Sequence, residues 1–144
     1  MHKYNLILFD ADGTLTPQRA GSNGDFSFTL LLNVSRKIQE LHRQDIQLGI
    51  CSNQSKSRSL AEIQEQFEWI SKELKIPANR IMIARGEYQK PSPVMLLQSM
   101  ELVYASPDET LFVGDAVTDR LAAEAAGISF QWAAEFFDWS AEWE

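Results

Sequence analysis

The chain has 144 residues, 44% of them hydrophobic, which suits one domain with a proper core and excludes a disordered polypeptide. A formal net charge of −7 disfavours broad, non-specific nucleic-acid binding, which needs Lys and Arg to replace counterions. One cysteine, Cys51, and two histidines exclude an internal disulfide and a zinc site of ordinary spacing. We therefore expect a single domain over residues 1–144, cytoplasmic, without a membrane span.

The first predicted strand ends in two aspartates. Leu6–Phe9 is an unbroken apolar run, and Asp10, Asp12 and Gly13 follow it. Such a run indicates a strand buried on both faces, so both carboxylates fall at the edge where open α/β sheets bind ligands. Two uncompensated acids at the mouth of an apolar strand are costly, which favours a divalent cation there. Ordinary Asp-Gly turn chemistry is the alternative.

The rest of the chain alternates helices and strands. Apolar spacing predicts, in order, an irregular loop at 17–25, helix 28–43, strand 46–51, helix 57–74, strand 80–84, helix 94–104, strand 111–113, helix 121–126 and strand 128–131. We expect Ser92 to cap the third helix and Gly127 to end the fourth. The alternation predicts an α/β fold of three layers, Rossmann-like, with a central five-stranded parallel sheet and helices on both faces.

The C-terminal segment carries an aromatic stripe. Trp132, Phe136, Trp139 and Trp143 follow one another at steps of four, three and four, which predicts a last helix. Large aromatic side chains are usually buried. We therefore expect a core or homo-oligomer contact here and not a platform for nucleobases.

Polar residues follow four of the predicted strands. In chain order they are Asp10, Asp12, Ser52, Asn53, Lys90, Asp115 and Asp119. Parallel strands bring these side chains to one edge of the sheet. Carboxylates with a hydroxyl, an amide and one lysine suit a phosphate held on Mg²⁺, which prefers oxygen ligands. Simple alternatives are helix N-capping for Ser52 and Asp119 and a surface position for Lys90.

These motifs resemble those of the haloacid dehalogenase superfamily of phosphohydrolases. The matching stretches are Asp-Ala-Asp-Gly-Thr at 10–14, Ser-Asn-Gln at 52–54, Lys-Pro-Ser-Pro at 90–93, and Gly-Asp at 114–115 with Asp119. The resemblance runs over nearly the whole chain, in family order. It implies an enzyme, a Mg²⁺-dependent phosphatase that acts on a small phosphorylated substrate.

The resemblance also implies catalytic roles. Asp10 is then the nucleophile that forms an aspartyl-phosphate. Asp12 first donates a proton to the leaving oxygen and later takes one from the attacking water. Ser52, Asn53 and Lys90 belong to the phosphate-binding set, with Asn53 also a supporting residue.

The metal site that the resemblance implies consists of three residues. Mg²⁺ is held by Asp10, Asp115 and the backbone carbonyl of Asp12. Thr14 and Asp119 support the site, Asp119 by orienting either a metal-bound water or the lysine.

The motif variants resemble one branch of the superfamily, which contains histidinol-phosphate phosphatase, heptose bisphosphate phosphatase and polynucleotide 3′-phosphatase. Neither insertion point for a cap domain has room for one, which implies the capless subclass III with an open site. Residues 85–89 replace the Cys/His zinc loop of the first two enzymes, which argues against zinc and against those exact substrates. The C-terminal stretch resembles the third enzyme, so a nucleic-acid 3′ end is the alternative to a small metabolite.

Two interpretations come from other classes of protein. A signalling receiver domain also carries a phosphorylated aspartate beside Mg²⁺. Its phosphorylated aspartate lies at the end of the third strand, where this chain has Ala-Arg-Gly at 84–86. The other interpretation is a catalytically idle scaffold that uses the aromatic tail as an interface.

Overall fold

The computed structural model describes residues 3–18 and 28–139. The elements in chain order are β1 (Leu6–Phe9), α1 (Val34–Arg43), β2 (Gln47–Asn53), α2 (Leu60–Leu74), β3 (Ile81–Ala84), α3 (Val94–Val103), β4 (Thr110–Gly114), α4 (Val117–Ala126), β5 (Ser129–Trp132) and α5 (Ala133–Phe136). Short 3₁₀ turns at Ala78–Arg80 and Pro107–Glu109 precede β3 and β4.

The five strands form one parallel sheet in the order β3-β2-β1-β4-β5. In β1, Phe9 pairs with Ile50 of β2 and with Val113 of β4, so three carboxyl ends lie side by side. This strand order is that of Rossmann folds, whereas receiver domains have the order 2-1-3-4-5. The predicted fold is confirmed, and the strand order argues against a receiver domain.

Helices cover both faces of the sheet because β1 is apolar on both. Ile7 and Phe9 point to the layer formed by α1, α2 and α5, and Leu6 and Leu8 point to the layer of α3 and α4. All four side chains are buried. The absence of polar alternation in β1 follows from this position, since a strand between two helical layers has no solvated face.

Three predicted helix starts differ from the observed ones. α1 begins at Val34 and not near 28, because Asn33 has left-handed backbone (φ 68°) that cannot propagate a helix. α2 begins at Leu60 and not near 57, because Ser59 and Glu62 form a capping box. α4 begins at Val117, earlier than predicted from its run of small apolar residues.

Two predicted helix-end residues have different outcomes. Gly127 follows directly after α4 with φ 76°, which confirms the prediction. Ser92 is not the N-cap of α3, because Pro93 occupies that position. Ser92 lies one position before the N-cap, and its hydroxyl nevertheless accepts the N–H of Val94, the first residue of α3, at 3.3 Å.

The predicted aromatic helix is mostly wrong. Trp132 ends β5, and α5 has only four residues before Asp138 turns left-handed. Phe136 and Phe137 are buried and lie 5.7 and 6.0 Å from the Phe9 ring, between centroids. Of the predicted stripe, Phe136 therefore belongs to the core, whereas Trp132 is 40% exposed and Trp139 is only partly buried. Phe137, which is not on the stripe, is fully buried.

The segment before α1 is tied to the C-terminal part of the chain. Asn33 Nδ2 donates to the Phe137 carbonyl at 2.8 Å, and Trp139 Nε1 donates to the Leu32 carbonyl at 2.7 Å. These contacts hold residues 32 and 33 outside the helix.

Several expectations concern residues that the structure does not describe, or only partly. Most of the predicted 17–25 loop, and Trp143 of the stripe, lie outside the described residues. Within the described residues there is no separate cap domain, and only residues 85–89 connect Ala84 with Lys90. No helix in the described ranges has the length and apolar character needed to cross a membrane.

Candidate active site

An acidic cluster lies at the carboxyl edge of the sheet. Asp10 follows β1 directly, and its N–H still donates to the Val113 carbonyl of β4 at 3.0 Å. Asp115 follows β4, and Asp119 lies in the first turn of α4. Carboxylate oxygens of these three aspartates all lie within 4.8 Å of one another. The register of β1 and β4 thus brings together residues that are more than a hundred positions apart.

Lys90 supplies the positive charge in this cluster. Only 4% of it is exposed, which excludes a surface lysine. Its ammonium donates to Asp10 Oδ1 at 2.9 Å, to Asp119 Oδ1 at 2.7 Å and to the Cys51 carbonyl at 2.7 Å. Burial opposes the charge, but the two carboxylates outweigh it and raise the pKa of Lys90. The lysine is therefore a permanent cation at the edge of the sheet.

Asp10 is strained electrostatically even with this partner. Burial raises its pKa to about 7, the Lys90 ammonium lowers it, and hydrogen bonding with Asp115 raises it further. The Thr14 hydroxyl contacts both carboxylates, with Asp115 Oδ1 at 3.1 Å and Asp10 Oδ2 at 3.4 Å. The cluster thus contains more negative charge than Lys90 offsets.

Asp115 packs over the turn that follows β1. Gly13 has φ 85°, and a Cβ at this position would overlap the Asp115 carboxylate. The side chain of Gln18 donates to Asp115 Oδ2 at 2.8 Å. A glycine is therefore required in the turn for two reasons, its backbone conformation and the close approach of the carboxylate.

Asp119 has two structural partners. Its Oδ1 accepts from Lys90, and its Oδ2 accepts the N–H groups of Asp115 and Ala116, both at 3.1 Å. It therefore caps α4 from inside the first turn and pairs with the lysine at once. Burial raises its pKa. Gly114 makes room for this side chain, because a Cβ there would lie 2.5 Å from Asp119 Oδ2.

Asp12 lies apart from the acidic cluster and accepts three hydrogen bonds. Thr16 Oγ1 and Gln66 Nε2 donate to its Oδ1 at 3.2 and 3.1 Å. Gln54 Nε2 donates to its Oδ2 at 2.9 Å. The carboxylate is therefore fixed by donors from the turn, from the end of β2 and from α2.

Arg58 stands behind the two glutamines. Its Nη1 donates to Gln54 Oε1 at 2.6 Å and to Gln66 Oε1 at 2.7 Å. Sequence reasoning missed Gln66. A polar residue beside the inward-facing Ile63, Phe67 and Ile70 of α2 was the signal that could have found it.

Ser52 and Asn53 end β2 and do not cap a helix. The Ser52 hydroxyl is buried and accepts from Gln54 Nε2 at 2.9 Å. The Asn53 amide pairs with the backbone of Lys90, accepting its N–H at 2.8 Å and donating to its carbonyl at 3.1 Å. The capping alternative for Ser52 is excluded, because Ser59 caps α2.

The donor set fits a hard divalent cation. Every candidate ligand in the cluster is a carboxylate oxygen. The pKa of Asp10 is raised mainly by burial and further by Asp115, so its ionised form is disfavoured, and a bound cation would stabilise that form. The oxygens of all three aspartates accept hydrogen bonds, but the donors to Asp119 include the backbone N–H groups at the start of α4, whereas Asp10 and Asp115 accept from side chains alone among the described residues. A cation can displace side-chain donors without opening the helix, so Asp10 and Asp115 are the better ligands in this group.

Fold and site together define an α/β protein with a carboxylate and lysine centre at the carboxyl edge of a parallel sheet. The family model described as "Haloacid dehalogenase-like hydrolase" matches residues 21–133, and the chain belongs to this family. The matched range begins after the turn at Gly13, so Asp10 and Asp12 lie outside it. The predicted superfamily is thus confirmed, as a family of hydrolases.

Two curated relatives align with part of the chain. A Pseudomonas putida protein named "Probable phosphoglycolate phosphatase" is 29% identical over 101 residues, which are 66% of this chain and 36% of that protein. A Bacillus mycoides protein named "Pyrophosphatase PpaX" is 31% identical over 94 residues, which are 65% of this chain and 41% of that protein. The aligned parts thus span well under half of these relatives.

A solved structure shows the same fold. That of D,D-heptose 1.7-bisphosphate phosphatase from B. bronchiseptica, complexed with magnesium and phosphate, matches with a TM-score of 0.72 and 20% identity. The match covers 88% of this chain and 78% of the other.

Proposed function

We propose that this chain is a Mg²⁺-dependent phosphomonoesterase that works through an aspartyl-phosphate. The observation that carries the proposal is the buried ion pair of Asp10 with Lys90 beside Asp115. Asp12 follows two positions after Asp10 and is held separately by its own donors. A nucleophile, a phosphate-binding cation and a proton carrier are the groups that this chemistry needs.

In the first half-reaction, a carboxylate oxygen of Asp10 attacks phosphorus. The bond from phosphorus to the ester oxygen breaks, and its electron pair leaves with that oxygen. Asp12 enters as the acid and gives its proton to the departing oxygen, so that a neutral alcohol leaves. The product on the protein is the phosphate anhydride of Asp10.

In the second half-reaction, water attacks the same phosphorus. The Asp12 carboxylate takes a proton from the water, and the bond between phosphorus and Asp10 breaks with its electron pair returning to the carboxylate. Orthophosphate leaves, and both aspartates are back in their starting forms. One water is consumed for each ester cleaved.

Asp10, Asp115 and the Asp12 carbonyl would hold Mg²⁺. When bound, the ion supplies charge neutralisation for the carboxylates and polarises a phosphoryl oxygen. Carboxylate ligands of a hard cation support the choice of Mg²⁺ over a softer metal.

The remaining polar residues bind phosphate or position the groups that do. Lys90 and Ser52 contact the phosphoryl oxygens. Asn53 fixes the backbone of Lys90 through its amide pair, which supports a positioning role in the phosphate site. Thr14 bridges Asp10 and Asp115 from the turn, and Asp119 holds the lysine.

For the substrate we propose a small phosphorylated metabolite of the sugar phosphate or nucleotide type. The names of the two relatives and of the solved structure concern phosphoglycolate, pyrophosphate and heptose bisphosphate, all small phosphorylated molecules. The short connection at 85–89 supports a capless, subclass III site, and the heptose enzyme supports the proposed branch. The net charge of −7 weighs against the alternative, a nucleic-acid 3′ end.

The test is phosphate release from sugar phosphates, nucleotides and a 3′-phosphorylated oligonucleotide, with and without Mg²⁺. We expect Asp10→Asn to abolish turnover, and Asp45→Asn, an exposed aspartate at the amino end of β2, to keep it. Hydrolysis by Asp10→Asn at the parent rate would overturn the nucleophile. An inactive parent would favour the idle scaffold, and preference for the oligonucleotide would select the nucleic-acid alternative. The single domain, cytoplasmic location and homo-oligomer stay predictions.

A further inference from the structure

A glutamine, Gln66, lies on the buried, otherwise apolar face of α2. Gln66 is fully buried, between the core residues Ile63 and Ile70, and its amide reaches Asp12, fifty-four positions earlier in the chain. Gln64, two residues away, is exposed, and its amide donates to Glu68 in the next turn of the same helix at 3.3 Å. Burying a primary amide is favourable only if its donors and acceptor are satisfied, so Gln66 is specified by its partners.

Arg58, the two glutamines and Asp12 form a chain of hydrogen bonds in which every donor points towards Asp12. A guanidinium can only donate, so the Arg58 Nη1 group fixes the oxygens of both Gln54 and Gln66 toward itself. The amide NH₂ groups must then point the other way, and each donates to an oxygen of Asp12. One arginine thus sets the orientation of two amides, and the amides set that of one carboxylate.

The two oxygens of Asp12 are held unequally. Among the residues that the structure describes, Oδ1 accepts from both Thr16 and Gln66, whereas Oδ2 accepts from Gln54 alone. The pair of donors fixes Oδ1, and Oδ2, with one donor, is the oxygen that has more room for a further hydrogen-bond partner. Proton transfer to a leaving oxygen falls steeply when the carrier is displaced by even a fraction of its hydrogen-bond distance.

We propose that Gln66 is a positioning residue for leaving-group protonation, acting through Asp12 and oriented by Arg58. This inference rests on the proposed function, because it assigns Asp12 the role of proton carrier. Gln66 is fully buried and bonds with Asp12 and Arg58, so it acts through these residues and not on the substrate directly. Its removal therefore affects the step in which Asp12 acts and leaves substrate binding unchanged.

The experiment compares leaving groups. Values of kcat/KM are measured in Mg²⁺ for the parent, Gln66→Met and the control Gln64→Met, with 4-nitrophenyl phosphate, phenyl phosphate and an alkyl phosphate. These values include only the steps up to departure of the leaving group. An acidic 4-nitrophenol leaves without protonation, whereas an alcohol needs the proton from Asp12. We expect Gln66→Met to lower kcat/KM about 10- to 100-fold for the alkyl ester and less than about threefold for the nitrophenyl ester.

Gln64→Met should keep the parent values throughout. Arg58→Met should show the Gln66→Met pattern in weaker form, and circular dichroism melting curves should show that all variants are folded at the assay temperature. An equal loss on every ester would mean a merely structural role and would overturn the inference, as would unchanged values for Gln66→Met. A parent without Mg²⁺-dependent activity on any ester would overturn the proposed function itself, an outcome distinct from both.

Discussion

The charge balance around Lys90 is the main feature of the site at the scale of single residues. Its ammonium is buried and bonded to two carboxylates, while Asp115 adds a third acid nearby. Asp10 carries the cost, since its pKa rises to about 7. A nucleophilic carboxylate must be ionised. The fold without a metal disfavours the ionised form of Asp10, although this is the form that the chemistry needs.

This leads to a pH dependence of stability. Because the folded-state pKa of Asp10 is above the ordinary value of 3.8, the folded protein holds this proton more tightly than the unfolded chain does. In EDTA, Asp10 therefore contributes fully to the free energy of unfolding below about pH 4. This contribution declines as the pH rises towards 7, by on the order of 1 kcal/mol for each unit by which the folded-state pKa is raised. Asp10→Asn lacks this decline.

Urea unfolding of the parent and of Asp10→Asn at pH 5 and at pH 7.5 measures this pH dependence. The free energy of unfolding should fall more between these values for the parent than for Asp10→Asn. Equal falls would show that Asp10 titrates normally. Acids outside the cluster are common to both proteins and cancel in the comparison. Asp119 does not cancel, because burial and then the charge of Asp10 raise its pKa; Asp10→Asn removes the second cause and so changes the comparison in the same direction.

The start of α4 is the element on which the site depends most. This helix begins at Val117, where Asp119 reaches back to the backbone N–H groups of Asp115 and Ala116 and at the same time pairs with Lys90. One side chain thus couples the end of β4, the first turn of the helix and the lysine.

The two glycines that flank α4 provide a matched comparison. Gly114→Ala should lower kcat/KM more than tenfold, because its Cβ would displace the Asp119 side chain, which lies within 2.7 Å. Gly127→Ala should cost about 1 kcal/mol of stability, because its φ of 76° disfavours alanine, and leave kcat/KM unchanged. Kinetics and urea unfolding of both variants check this. If Gly114→Ala kept full activity, the proposed coupling through Asp119 would be wrong.

At the scale of the whole molecule, the sheet brings the site together and the site in turn affects global stability. Strands β1 and β4 are neighbours in the sheet, and their ends, with the first turn of α4, bring three acidic groups close together. Like charges at short range oppose the compact state until a cation compensates them. A ligand that binds only the folded state adds to its stability by mass action.

Mg²⁺ should therefore raise the melting temperature of the parent. At a concentration 100 times the dissociation constant the expected gain is about 2.7 kcal/mol. Asp115→Asn should lose most of this gain, whereas Asp108→Asn, an exposed acid before β4, should retain it. Thermal unfolding in EDTA and in Mg²⁺ is the measurement. An equal Mg²⁺ effect on both variants would exclude Asp115 as a ligand.

The sequence by itself determined the alternating strands and helices, the parallel sheet and the residues that gather at its edge. These features are local, because an apolar run such as Leu6–Phe9 and the acids after it report their position through composition and spacing alone. The order of the motifs was also sufficient to identify the superfamily.

Only the tertiary structure decided which side chains contact one another. The bonds from Gln66 and Gln54 to Asp12, and the amide pair of Asn53 with Lys90, join residues from 37 to 54 positions apart. Likewise, Phe137 is buried although it is not on the predicted stripe, because the chain turns after α5. Periodicity specifies the face of one element, whereas such contacts depend on how the elements pack, and packing is decided by the whole core at once.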